Sequence, residues 1–226
     1  LLRSQQASRH TQVRRAAATS DVMLNTCREH DPSRSVAQPS TPGHGWYADN
    51  KPTCKPMPNG TRLAAVDLGS NSFRLEIVRF DHGHFERTEY LKESIRQGAG
   101  MDADRNLSQQ AMQRGWDCLA RFGERLSGFE PAQVRAVATQ TLREARNREL
   151  FLTRANQILG FPIDVISGRE EARLIYQGVA KLLPRSAERR LVVDIGGRST
   201  ELIVGKGAKP SRMESYRVGS IAWSTR

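Results

Sequence analysis

The sequence is poor in cysteine and in aromatic residues, and it lacks long apolar runs. Its three cysteines, Cys27, Cys54 and Cys118, show no metal-binding spacing and cannot all pair, which excludes a disulfide framework and a zinc module. The apolar runs stay short of the ~18–20 residues that a membrane helix needs. We therefore expect a cytoplasmic protein without a membrane span.

Acidic residues are also outnumbered. The chain has 35 Lys and Arg against 24 Asp and Glu, which gives a formal net charge of +11. Such an excess favours a polyanionic partner. However, no zinc-finger, helix-turn-helix or RNA-binding aromatic motif accompanies the charge, and aromatic residues make up only 6% of the chain. We therefore expect a phosphate-rich polyanion as ligand rather than a specific nucleic acid.

Apolar periodicity is missing from the first part of the chain. Residues 1–62 are rich in Ser, Thr, Pro, Gln and Arg, which predicts a disordered basic extension. The first twenty residues are Arg- and Ser-rich without an acid, as in an organellar transit peptide. We prefer a native start near Met57, which stands just ahead of the first predicted strand. The globular part then begins near Leu63.

After Leu63, predicted strands alternate with predicted helices, which indicates an α/β fold with a mixed sheet. The first three strands form an antiparallel set. Predicted strands cover residues 63–66, 73–80, 84–93, 134–138, 162–166 and 191–195, and predicted helices cover residues 108–127, 142–159 with a break at Asn147, and 170–183.

Two glycine-rich acidic loops carry the strongest chemical pattern. Asp67 opens the first, DLGSNS, and Asp194 opens the second, DIGGRSTE. Each joins two strands, so backbone N–H groups and hydroxyls can hold phosphate on the turn. One such loop is also typical of an ordinary hairpin, but the repetition indicates one unit used twice. The predicted phosphate ligands are Gly69, Ser70, Asn71 and Ser72 in the first loop and Gly196, Gly197, Arg198, Ser199 and Thr200 in the second.

The leading aspartates imply a metal. A carboxylate beside phosphate is repulsive unless a divalent cation bridges the two, and hard oxygen ligands suit Mg²⁺. The sequence therefore predicts that Asp67 and Asp194 organise Mg²⁺ against phosphate held between two lobes.

Five ordered stretches resemble the exopolyphosphatase and guanosine pentaphosphate phosphohydrolase (Ppx/GppA) family of the actin-like ATPase superfamily. They are AAVDLGSNSFRLEI, ATQTLREARN, GFPIDVISGREEARLIYQGV, VVDIGGRSTELIV and RVGSIAWSTR. The resemblance implies an actin-like, ribonuclease H-like mixed sheet with flanking helices, with a first lobe over residues 63–186 and the start of a second over residues 187–226. It also leads us to expect an amino-terminal fragment of a longer enzyme that forms a homodimer at full length.

The resemblance assigns the catalytic carboxylate. The second glutamate of the family's EEAR block corresponds to Glu171, which we expect to act as general base toward the attacking water. On the residues alone, acids in a first helical turn also complement the helix dipole, and Ser167 with Glu170 matches a capping box. That simpler account uses Glu170 and leaves Glu171 without a task.

Further roles follow from the same resemblance. Arg143 and, more weakly, Arg96 correspond to phosphate contacts, and Glu201 corresponds to a carboxylate that supports the metal or the water. The simpler alternatives are that Arg143 and Arg96 are exposed arginines without a ligand, and that Glu201 is an outward-facing strand residue. Arg198 replaces the third glycine of the family's DIGGGSTE loop. It would strain the loop by roughly 1 kcal/mol if the position needs a positive φ, or else it adds a cation beside the phosphate.

The expected activity is exopolyphosphatase, which releases orthophosphate from the end of inorganic polyphosphate. Guanosine pentaphosphate 5′-phosphohydrolase is the alternative that the same motifs serve. A non-catalytic polyanion-binding module is the alternative from another functional class, and an ATP-using kinase or chaperone-type ATPase is a further one.

Overall fold

The computed structural model describes residues 57–184 and 186–221. Residues 1–56 of the predicted extension over residues 1–62, and the final residues of RVGSIAWSTR, lie outside this range, whereas Thr61 and Arg62 of that extension belong to the first strand. The strands are β1 (Thr61–Leu68), β2 (Ser72–Asp81), β3 (His84–Ser94), β4 (Val134–Ala138), β5 (Ile163–Val165), β6 (Arg189–Ile195), β7 (Thr200–Lys206) and β8 (Lys209–Tyr216). The helices are α1 (Gln109–Arg125), α2 (Gln140–Glu144), α3 (Arg148–Leu159) and α4 (Gly168–Leu182), with short 3-10 helices at Gln97–Gly100 and Pro131–Gln133.

The strands form two sheets. The first has the order β3-β2-β1-β4-β5, in which β1 to β3 are antiparallel and β4 and β5 run parallel to β1. This arrangement confirms the predicted mixed α/β sheet. The second sheet is the antiparallel set β6-β7-β8. The division of the chain into two lobes at residue 187 stays a prediction.

Most predicted elements agree with the structure to within a few residues, and two differences have clear causes. The predicted helix over residues 142–159 is two helices, and the predicted break at Asn147 is confirmed. The Asn147 side chain bonds both main-chain groups of Leu107, at 2.9 Å each, and so stands apart from either helix. The sequence does not indicate strand β8, because most of its residues are exposed and Met213 is its one partly buried large apolar residue.

The core of the first sheet lies on one face. Alternate residues of β2, among them Phe73 and Leu75, are fully buried there against α1 and α3. Helix α1 begins where the sequence predicts, since the Ser108 hydroxyl accepts the backbone N–H of Ala111 at 3.2 Å. Each fully buried large apolar side chain contributes about 1.5–3 kcal/mol, so this face supplies the rigid base for the first loop.

Helix α4 lies between the two sheets. Leu174 packs with Val137 and Ile166 on the first sheet. On its other side, Tyr176 joins Ile203 in a second apolar cluster with the second sheet. The amino terminus of α4 is thereby directed at the place where the two glycine-rich loops meet. Within the described residues, every helix is too short or too polar to span a bilayer.

Candidate active site

The two glycine-rich loops share one backbone geometry. The N–H of Gly69 donates to the carbonyl of Ser72 at 3.2 Å, and the N–H of Gly196 donates to the carbonyl of Ser199 at 2.8 Å. A Cβ atom at Gly69 or at Gly196 would lie 3.0 Å from that same carbonyl oxygen. Glycine is therefore required at both turns by a close backbone approach, and the two loops repeat one turn.

The next carbonyl of each loop is held in place from a later segment. Gly98 donates its N–H to the carbonyl of Ser70 at 2.9 Å, and Ile221 donates its N–H to the carbonyl of Gly197 at the same distance. These bonds occupy carbonyl oxygens that would otherwise repel an anion, which suits the two turns to a donor-rich, phosphate-binding surface.

Both loops line one cavity, together with the first turn of α4. Most of the predicted ligands meet there, although they come from regions of the chain far apart. The predicted site residues that line the cavity are Asp67, Gly69, Ser70, Asn71, Ser72, Glu171, Asp194, Gly196, Gly197 and Ser199.

The two leading aspartates differ in their cross-strand neighbours. Asp67 faces Arg74 across the β1–β2 register, and an Nη1 to Oδ2 distance of 2.8 Å joins them. Asp194 faces Glu201 across the β6–β7 register. Glu201 is only 1% exposed. Burial, and in addition the charge of Asp194, raise the pKa of Glu201, while a hydrogen bond from the Ser215 hydroxyl opposes the rise.

Glu171 occupies the first turn of α4, and its side chain is 16% exposed. Its Oε2 lies 3.2 Å from Nη1 of Arg143. Burial, and after it the charge of Glu201, raise the pKa of the Glu171 carboxyl to about 8. The Arg143 guanidinium opposes this shift. A largely buried carboxylate with raised proton affinity at the cavity wall is suited to take a proton from water.

Glu170 is directed elsewhere. The Ser167 hydroxyl caps α4 by accepting the N–H of Glu170 at 3.1 Å, so that half of the predicted capping box is confirmed. The other half is wrong, because the Glu170 carboxylate is bonded by Arg173 at 2.6 and 2.7 Å one turn along the helix. Adjacent helical residues are separated by about 100° around the axis, and Glu170 and Glu171 face different surroundings as expected.

Arg143 comes from α2 and is fixed on several sides. It donates to the carbonyl of Ile166 at 2.7 Å and to the Gln140 side chain, in addition to Glu171. These contacts orient Glu171. Direct contact between Arg143 and phosphate stays a prediction.

Arg143 and three further predicted phosphate ligands are absent from the cavity lining. Arg96 is exposed and has a left-handed backbone, with φ 52°, and its N–H supports the first loop through the carbonyl of Asn71. The Thr200 hydroxyl donates to the carbonyl of Val218. Arg198 reaches away from the cavity and donates to the carbonyl of Gly98 at 3.0 Å.

The carboxylates at the cavity fit the predicted Mg²⁺. Among the described residues, no three Asp, Glu, His or Cys side chains converge closely enough to hold an ion by themselves. Mg²⁺ in phosphate-transfer sites is usually held by one or two carboxylates together with substrate phosphates and water. Asp67 and Asp194, which line the same cavity as the phosphate-binding turns, supply that donor set.

The structure adds three polar lining residues that sequence reasoning missed, Arg74, Thr139 and Ser220. Arg74 could have been found from the hairpin register, which places it opposite Asp67. Thr139 follows β4, parallel to β1, and so ends at the same sheet edge as the first loop. No local pattern indicates that Ser220 lies at the cavity. Its position there is fixed by a hydrogen bond from its own N–H to the distant carbonyl of Gly196, at 3.0 Å.

Comparisons with known proteins place these features in a family context. A model of the Ppx/GppA phosphatase family matches residues 76–226. A guanosine-5'-triphosphate,3'-diphosphate pyrophosphatase of Vibrio vulnificus is 51% identical over 165 residues, which cover 73% of this chain and 33% of that protein. The protein of the same name from Vibrio parahaemolyticus is 51% identical over 160 residues, with 71% and 32% covered.

Solved structures show the same likeness. An exopolyphosphatase from Cytophaga hutchinsonii superposes with a TM-score of 0.69 at 26% identity, covering 74% of this chain and 54% of that one. A Ppx/GppA protein from Aquifex aeolicus superposes with a TM-score of 0.63 at 30% identity, covering 73% and 53%. The predicted actin-like α/β class is confirmed. The chain spans 33% of the length of the first of these curated relatives and 54% of the Cytophaga chain.

Proposed function

We propose, because this chain belongs to the Ppx/GppA phosphatase family, that the whole protein hydrolyses the terminal phosphoanhydride bond of guanosine pentaphosphate. The observation that carries this choice of substrate is the 51% identity to relatives named for guanosine-5'-triphosphate,3'-diphosphate. Inorganic polyphosphate, the substrate expected from the sequence, is the second candidate, and the structural likeness to the Cytophaga exopolyphosphatase favours it. Both substrates present the same terminal phosphoanhydride, so one site serves either.

The two loops would bind the terminal phosphates. Their turns face one cavity from opposite sheets, and Gly69, Ser70, Gly196, Gly197 and Ser199 line it. Donors fixed in this way stabilise negative charge without reorganisation during the reaction. Mg²⁺ held by Asp67 and Asp194 would neutralise the phosphate oxygens and orient them.

Glu171 would activate the water. As the water oxygen attacks the terminal phosphorus, its proton passes to the Glu171 carboxylate, and the bond from phosphorus to the bridging oxygen breaks. The bridging oxygen leaves with the electron pair, so the products are orthophosphate and a ligand shorter by one phosphate. Arg143, 3.2 Å from Glu171, keeps the carboxylate in position for this transfer.

The test is release of orthophosphate by the whole protein from guanosine pentaphosphate and from inorganic polyphosphate, compared by kcat/KM. We expect hydrolysis of both with a preference for guanosine pentaphosphate, and loss of both in Glu171→Gln. A preference for polyphosphate would transfer the proposal to the second candidate. Binding of either ligand with no release of phosphate would instead support the polyanion-binding alternative.

A further inference from the structure

A cluster of three charged side chains outside the cavity has no part in the proposed reaction. Arg198 belongs to the second loop, Arg217 follows β8, and Glu144 ends α2, so two arginines beside the second sheet meet a carboxylate beside the first. The Nε of Arg217 lies 3.1 Å from Oε1 of Glu144, and the Nη2 of Arg198 lies 3.8 Å from its Oε2. We call Glu144, Arg198 and Arg217 the interloop cluster.

The interloop cluster is sheltered at its centre. The Glu144 side chain is 11% exposed and that of Arg198 is 29% exposed, whereas Arg217 is 76% exposed. A carboxylate so far removed from water requires a cationic partner, since an unpaired buried charge is strongly destabilising. Glu144 therefore depends on both arginines, and it depends on Arg217 more than the exposed Arg217 depends on it.

Arg198 also packs against the segment that supports the first loop. A Cβ atom at Gly98 would lie 2.7 Å from Cδ of Arg198, so the arginine stem occupies the space that the glycine leaves. Arg198 donates to the carbonyl of Gly98 at 3.0 Å, while Gly98 itself donates to the carbonyl of Ser70 at 2.9 Å. One residue thus joins the second loop to the first through two successive hydrogen bonds.

The cluster also connects with the catalytic carboxylate. Glu144 directly follows Arg143 on the short helix α2, and Arg143 holds Glu171 at 3.2 Å. A shift of Glu144 would therefore move the residue that orients the general base.

We propose that the interloop cluster is an ionic latch that fixes the separation of the two glycine-rich loops, and that Arg198 is a positioning residue rather than a phosphate ligand. In this role Arg198 sets how well both loops contact one phosphate at once. The effect on substrate rests on the proposed function, but the latch itself is a property of the ligand-free protein and can be tested without substrate.

The first test measures amide hydrogen exchange by mass spectrometry on the ligand-free whole protein. Glu144→Gln is expected to speed exchange about 10-fold in segments 96–100 and 196–200, because both lose their common anchor. Arg212→Gln, an exposed arginine of β8, is the matched control and should leave both segments unchanged. Unchanged exchange in the Glu144 variant would overturn the latch.

Salt and a milder variant keep the test decisive if Glu144→Gln does not fold. Raising NaCl from about 0.05 to 0.5 M screens exposed and partly exposed ion pairs, and it should speed exchange in the same two segments of the unaltered protein. Arg217→Gln, at the exposed side of the cluster, should give a smaller change in the same direction. If the exchange rates of both segments change neither with salt nor in Arg217→Gln, the latch proposal would also be overturned.

The second test separates the latch from phosphate binding by Arg198. As a latch, Glu144→Gln and Arg198→Gln should each raise KM for guanosine pentaphosphate by about 3- to 30-fold, and the double variant should be no worse than either. If Arg198 instead binds phosphate, Glu144→Gln would free it from its ion pair, and KM would stay constant or fall. That result would overturn the proposal. If the unaltered protein hydrolyses neither substrate, the proposed function fails and the exchange experiment still decides the latch.

Discussion

The two glycine-rich loops have the same turn but opposite electrostatics. Each closes with the same hydrogen bond and needs glycine for the same close approach. The residue opposite the leading aspartate differs, since Asp67 faces Arg74 and Asp194 faces Glu201. Like charges directly opposite each other in a sheet are destabilising. The first loop is therefore neutralised by the protein, whereas the second gathers negative charge that suits a cation.

A second difference lies further along the same strands. Counted from the leading aspartates, Glu76 in β2 occupies the position that Ile203 occupies in β7. Both side chains are buried, at 2% exposure for Glu76 and 0% for Ile203. Ile203 joins an apolar cluster, whereas Glu76 places a carboxylate in the interior, with its Oε1 3.9 Å from Nη1 of Arg87. One copy of the unit thus replaces a core residue with a titratable one.

Among changes that test the comparison of the two loops, the largest effect should come from breaking their charge asymmetry. Asp194→Asn is expected to lower Mg²⁺-dependent turnover by about 10²–10³-fold with little loss of fold, because it removes the charge that would hold the cation. Asp67→Asn is the matched change, and it should lower turnover less, since Arg74 already neutralises that aspartate. Turnover is measured against Mg²⁺ concentration. Equal losses in the two variants would show that the two loops share the metal evenly.

A smaller effect should follow from the buried Glu76. Burial raises its pKa from 4.5 to about 7, against the lowering influence of Arg87. The folded state then holds the proton more tightly than the unfolded state. The stabilisation is complete below about pH 4.5 and is lost as the pH rises through about 7, a change of about 2–4 kcal/mol.

Glu76→Gln is therefore expected to flatten the fall in unfolding free energy between about pH 5 and 8, and to stabilise the protein at the alkaline end. Urea denaturation at several pH values checks this. Glu86→Gln, in a pair that is 66% exposed at the glutamate, is the control and should leave the slope unchanged. Parallel profiles for the Glu76 variant and the unaltered protein would contradict the assignment.

The smallest effect should come from the feature that the loops share. Gly69→Ala and Gly196→Ala each force a backbone carbonyl to move, and each should lower the unfolding free energy by about 1 kcal/mol and weaken phosphate binding by about 3- to 10-fold. Gly83→Ala, at a hairpin glycine with φ 83°, should cause a similar loss of stability without affecting binding. Unequal effects of the two loop variants would show that the repeated turn is not used in the same way.

Local patterns were enough to predict much of this molecule. The loops, the strand Val134–Ala138 and the cap at Ser167 depend on neighbouring residues, and each was predicted correctly. The meeting of the two loops was predicted from their repeated pattern, but individual side-chain contacts between distant parts of the chain were not predictable. Arg198 binds a carbonyl 100 residues earlier in the chain, and nothing near it in the sequence indicates that partner.

The candidate site shows the same limit. Glu171 could be proposed because the resemblance assigns the catalytic carboxylate to the second glutamate of the EEAR block, and because a capping role accounts for Glu170 alone. The pairing of Glu170 with Arg173 could not be separated from a capping box, because both use residues within one turn. Arg74 required the strand register, which is set by the folded hairpin.

The central claim is that Glu171, and not its neighbour, activates water between the two loops. The direct measurement is kcat for phosphate release by the whole protein in Glu171→Gln and in Glu170→Gln, with the unfolding free energy of each. We predict a loss of about 10²–10⁴-fold in kcat for Glu171→Gln with substrate binding retained, and a change confined to stability for Glu170→Gln. A loss of rate in Glu170→Gln instead, or in neither variant, would contradict the account.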